Sequence, residues 1–191
     1  MGDYTYLVAQ LPYLVYGQNP PMSSAAFKEY AKPMLEDEDA KLLDKITLDP
    51  TPAAGDQAVA EKTGCEFIDS WNAWELALRL NLARRRSIKI KRDAAPEPPP
   101  FPQDAVAAAG RAVGIESPLE GEIALDKSRW SAIESFQGYD YFNRNVVFAF
   151  LLKLLLLERR HSFNTEEGFT EYKSLYASIL EDVQESVGEP K

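Results

Sequence analysis

The stretch 145-NVVFAFLLKLLLLERRHSF-163 is the most apolar in the chain, and what it forms decides the fold. A membrane span, a buried core helix and a docking surface all begin from such a segment. Crossing hydrocarbon takes roughly 20 mostly apolar residues. Here the uncharged runs are only 146–152 and 154–157, split by Lys153, with Arg144 before them and Glu158, Arg159 and Arg160 directly after. That pattern argues against a span. On a helix of 3.6 residues per turn, Val146, Ala149 and Leu157 share the face of Lys153, while Phe148, Leu151 and Leu155 lie opposite. Apolar residues all round predict the central helix of a helical body, with Lys153 free to extend towards solvent or a partner.

Upstream, Gly138 separates this helix from SPLEGEIALDKSRWSAIESFQ, where Pro118 suits a first turn and Ile123, Trp130, Ile133 and Phe136 are available for burial. Before it, QDAVAAAGRAVG is helix-forming by its alanines, with Gly114 placed as a C-terminal cap. Downstream, Asn164 and Glu167 suit a helix start, and Phe169, Tyr172, Tyr176, Ile179 and Val183 mark one face of a terminal helix.

The other long helical pattern is CEFIDSWNAWELALRLNLARRR, in which Phe67, Trp71, Trp74, Leu78 and Leu82 recur at three or four. Thr63 and Glu66 have the spacing of a capping box at its start. Beyond it, DAAPEPPPFP holds five prolines in ten residues and cannot continue a helix. It marks the internal boundary: a helical part over 1–92, a proline-rich linker over 93–102 and a second helical part over 103–191, together one compact domain.

Nearer the N-terminus, Ser23 or Ser24 can cap a helix through AAFKEYAK, limited by Pro33. The acidic run of EDEDAKLLDKI falls in the first turn of a short helix, where the macrodipole favours negative charge. Residues 49–63 read as a loop. YTYLVAQLPYLVYG, at 4–17, fits both a strand and a helix, so its state stays open. The sum is an all-α multi-helix bundle, with room for a small β element at the N-terminus.

Composition narrows the function. The chain of 191 residues carries a net charge of -9, which repels nucleic acid and anionic lipid unless charge is segregated. It is segregated: residues 1–80 hold 6 basic against 13 acidic side chains, residues 81–92 hold 6 against none, and residues 93–191 hold 9 against 17. A single cysteine, Cys65, fits a reducing compartment, and the N-terminus lacks the charged start of a secretory signal, so a cytoplasmic setting is expected. One histidine, His161, argues against a histidine-based metal site, and no phosphate-binding glycine loop is present. No cofactor or metal is expected. A Cys65–His161 catalytic pair has no sequence feature to bring it together, and Asp140, between Tyr139 and Tyr141, is explained by capping the apolar helix.

The remaining feature is RRRSIKIKR, with Arg84, Arg85, Arg86, Lys89, Lys91 and Arg92. It reads as a solvated helix end, as a docking surface for an acidic protein partner, or, with Trp71 and Trp74 upstream, as a phosphate-contacting element of a helical nucleic-acid-binding or regulatory module. An enzyme whose site is assembled from carboxylates and tyrosines would carry no signature at all.

YLVAQLP and FKEYAKPML near the start, then SPLEGEIALDKSRW, and FNRNVVFAFLLKLLLLER leading into FNTEEGF, resemble an uncharacterised bacterial family encoded among the subunits of V/A-type ATPases. The likeness covers blocks at both ends and is thinner over 49–92. It implies association with a proton- or sodium-translocating rotary ATPase, peripheral to the inner membrane through that complex. It further implies a counterpart of the C (d) subunit, an all-helical funnel that docks between central stalk and membrane rotor ring. The chain is much shorter than a usual C subunit, and the internal triplication of that subunit has no match here. The resemblance brings no catalytic residues. The six cations from Arg84 to Arg92 are the expected partner contacts.

Overall fold

The computed structural model describes residues 4–54, 56–91, 98 and 100–161. Among these are seven α-helices: α1 Thr5–Gln10, α2 Ser24–Ala31, α3 Asp37–Lys45, α4 Glu66–Lys89, α5 Gln103–Gly114, α6 Pro118–Gln137 and α7 Arg144–His161. A two-stranded antiparallel hairpin, β1 Pro52–Ala53 and β2 Asp56–Ala60, pairs Pro52 with Ala60. The chain is all-α with a small β element, as the sequence predicts. The β element, however, lies in the segment read as a loop, and the ambiguous stretch at 4–17 begins as α1. The terminal helix expected after Asn164 lies outside the described residues.

The chain forms two compact units, Met1–Glu158 and Arg159–Lys191. Of the second, only the last turn of α7 is described. In the first, α4 and α5 pack together although the proline-rich segment separates them in sequence, and α6 completes a three-helix layer with them. Small side chains allow the close approach: Ala105, Ala108, Ala109 and Ala112 are the buried residues of α5.

The helix α7 is the centre of this body. Val147, Phe148, Ala149, Leu151, Leu152 and Leu154 are all fully withdrawn from water. Four other helices reach it. Phe150 meets Phe27 of α2 at a ring separation of 4.7 Å, Phe148 meets Phe67 of α4 at 6.2 Å, Arg144 pairs with Asp39 of α3, and Lys153 bonds Glu134 of α6. The charge on Lys153 is therefore committed: its Nζ lies 3.1 Å from Glu134 Oε1 and 5.0 Å above the Trp130 ring. The expectation that it extends freely is corrected by this cation–π and ion-pair site, which lets an amphipathic side chain cross apolar surface. No described helix is long and apolar enough to cross a membrane.

Local signals explain several helix boundaries. Ser23 Oγ accepts from the Ala26 N–H, and Ser117 Oγ accepts from the Glu120 N–H ahead of Pro118. Gly138 ends α6 with φ of 73°, a region that disfavours a side chain. Gly114 is the last residue of α5 and not its cap; Ile115, extended, takes that place. Two further readings are corrected. The capping box at Thr63 and Glu66 does not form; Asp69, one turn into α4, instead accepts from the Thr63 N–H at 2.6 Å, the Thr63 hydroxyl at 2.8 Å and the Gly64 N–H at 3.2 Å. A carboxylate gathering three donors outcompetes the glutamate expected to reach back. Nor does Asp140 cap α7: it accepts from the Phe142 N–H, and Asn143 Oδ1 accepts from the Asn145 N–H at the helix start.

Candidate docking surface

The final two turns of α4 project the basic segment. Its N-terminal three turns are anchored by Phe67, Trp71, Trp74 and Leu78, all buried, and by the Trp71 indole N–H, which donates to the Thr47 carbonyl at 2.9 Å. The apolar period then stops at Leu82. From residue 80 to 92 there is no carboxylate, so nothing on the helix itself offsets the cations.

Arg85, Arg86, Lys89 and Lys91 are exposed, and Arg84 is half-buried. Arg92 lies outside the described residues. Two of the exposed cations are held in place by neighbours: Arg86 pairs with Glu122 at 3.2 Å, and Lys89 Nζ donates to the Val113 carbonyl at 3.1 Å. Such exposed pairs contribute on the order of 0.2–1 kcal/mol and position charge more than they stabilise. Arg85 lies over α5, its Cζ 3.4 Å from where a Cβ on Gly110 would stand.

Alternating with Lys89 and Lys91, Ile88 and Ile90 are 57% and 59% exposed. An isoleucine left in water beside cations stabilises nothing in the free chain, whereas at an interface it supplies apolar area. Just past the cap residue Ile90, Lys91 has a left-handed conformation, φ 54°, with its N–H donating to the Ile88 carbonyl at 3.1 Å. That position favours glycine, so a side chain is held there at a cost. The tryptophans that could have served base stacking are in the core, Trp71 and Trp74 being stacked on each other at 6.0 Å.

Buried charge lies elsewhere, in places the sequence does not announce. Arg129 bonds both oxygens of Glu75 at 2.9 Å and Asp126 Oδ1 at 2.9 Å. Burial works against its positive charge, but the hydrogen bond and charge of Glu75, joined by Asp126, prevail and hold its pKa above the ordinary arginine range. Arg79 extends the network from Glu75 to Asp49 and the Leu48 carbonyl. A second cluster joins Tyr4, Asp39 and Arg144: the Tyr4 hydroxyl donates to Asp39 Oδ2 at 2.6 Å, and Arg144 donates to Oδ1 at 3.1 Å. Burial, reinforced by that hydrogen bond, pushes the Tyr4 phenol up to about 12. One acidic residue of the α3 first turn thus has a tertiary role beyond the helix dipole.

Cys65 is buried at the start of α4, and His161 is exposed in the last turn of α7. Among the described residues no cluster of histidine, cysteine and carboxylates could hold a metal ion. No family description, curated protein or solved structure matches the chain.

Proposed function

We propose that this chain is a non-enzymatic docking component of a V/A-type ATPase, C-subunit-like, acting between the central stalk and the membrane rotor ring. The observation that carries the docking part is the end of α4, where Arg85, Lys89 and Lys91 surround two exposed isoleucines on a molecule of net charge -9. A cationic patch with apolar residues set into it complements an acidic, partly apolar protein surface: the charges steer encounter and register, and the isoleucines add buried area. The ATPase assignment rests on the resemblance of the sequence blocks at both ends of the chain. A helical body stiffened by a central apolar helix suits a component that transmits or bears load, which needs matched surfaces and no reactive groups. On this reading the protein is cytoplasmic and meets the inner membrane only through the complex.

Replacing Arg85, Lys89 and Lys91 together by glutamine tests the surface. All three are exposed, so the fold should survive, as circular dichroism would verify. Association with purified central-stalk and rotor-ring subunits should weaken, and its dependence on salt should flatten. Binding that is unchanged in strength and in salt response would remove the surface from the account.

A further inference from the structure

A polar pocket of about 260 Å³ opens between the end of α3, the segment after it, the end of the hairpin and the second turn of α4. Lys45, Thr47, Thr51, Glu61, Lys62 and Asn72 are among the residues that line it. Asn72 is 7% exposed, and its Oδ1 has no hydrogen-bond partner among the described residues. A buried amide left unpaired costs folding free energy that an apolar residue of the same size would not. Its neighbours along α4 are used otherwise: Trp71 bonds the Thr47 carbonyl, and Glu75 bonds Arg129.

We infer that this pocket binds a small ligand that carries both an oxyanion group and its own hydrogen-bond donor, the class that includes hydrogen phosphate and zwitterionic amino-carboxylates. Two ammonium groups, Lys45 and Lys62, border it, and neither makes an ion pair among the described residues. One carboxylate, Glu61, leaves the lining with a net positive charge of one. The lysines supply the attraction for the oxyanion. The Asn72 amide, turned about its terminal torsion, presents its oxygen to a donor or its N–H₂ to an oxyanion. Threonine hydroxyls at 47 and 51 can take either part. The volume of about 260 Å³ suits a molecule of a few heavy atoms. The site is distinct from the basic end of α4, and none of its lining residues belongs to that surface.

The test is a titration of the full-length chain, labelled with nitrogen-15, with sodium phosphate and separately with glycine in a buffer free of other small anions. The side-chain amide signals of Asn72 should shift saturably with one or both, and the responding probe identifies the source of the oxyanion group. In a Lys45→Gln, Lys62→Gln double variant, whose substitutions are at exposed positions, the apparent affinity should fall about tenfold or more, in line with the loss of at least ~1.4 kcal/mol of charge-assisted bonding. Failure of both probes to move Asn72 would overturn the inference, leaving water as the partner of the amide. Shifts of equal affinity in the double variant would overturn it as well.

Discussion

The Arg129 guanidinium grips both carboxylate oxygens of Glu75 across the interface of α6 and α4, at 2.9 Å each, with both side chains withdrawn from water. This pair ties together the two longest described helices, and α4 is the one whose far end carries the proposed docking surface.

Its removal should be severe. Arg129→Met leaves Glu75 and Asp126 as buried acids without their common partner, and about 3–5 kcal/mol of stability should be lost. Urea denaturation of the variant would measure this directly. A loss below about 1 kcal/mol would mean that water or Arg79 takes over the role.

Alkaline pH should loosen the contact between Tyr4, just before α1, and Asp39 of α3. Tyr4 titrates near 10 when unfolded and at about 12 in the fold, so its neutral form is what folding favours. The stabilisation is complete below pH 10 and disappears as pH rises through about 12; the two-unit gap corresponds to about 2–3 kcal/mol. Other tyrosines titrate in the same window, so the informative quantity is the stability of the wild type minus that of Tyr4→Phe. That difference should favour the wild type at pH 9 and shrink steadily above pH 10; a flat difference would contradict the assignment.

Lys91→Gly relieves the left-handed backbone at the end of α4. A gain of about 1 kcal/mol in stability is expected, together with weaker association with the partner, because a cation of the surface is lost. Thermal unfolding and a binding assay on the same variant check both halves.

Asn72→Leu should also stabilise the chain, by about 1 kcal/mol, since it removes a buried amide oxygen that has no partner among the described residues, at nearly constant volume. A higher melting temperature is the expected readout. A marked fall would mean that the amide has a structural partner.

How much of this was visible in the sequence follows from which interactions are local. Phe67, Trp71, Trp74, Leu78 and Leu82 announce α4 because one helix face repeats at fixed spacing, and Ser23, Pro118 and Gly138 announce ends because a cap or a left-handed turn involves only near neighbours. The central placement of α7 was legible from apolar residues on every side. What was not legible is what the third dimension assigns. Thr63 and Glu66 had the spacing of a cap, yet Asp69 made better use of the same donors. Lys153 appeared free because nothing in the sequence places Glu134 and Trp130 beside it. Glu75 with Arg79 and Asp126 with Arg129 look like ordinary helix-surface pairs at four and three residues; only the packing of α4 on α6 turns them into one buried network. At the candidate surface, the cluster of cations was plain from the sequence, but the exposure of Ile88 and Ile90 among them was not, since large apolar residues at a helix end are ordinarily counted into its core.

The proposed function depends on membership of a rotary ATPase. Purification of the V/A-type ATPase from the native cell, with quantitative mass spectrometry of the intact and the assembling complexes, tests it most directly. This chain is expected in a fixed ratio to the central-stalk subunits, and it should be lost from the complex when Arg85, Lys89 and Lys91 are replaced by glutamine. Absence of the wild-type chain from both intact and assembling complexes would contradict the account.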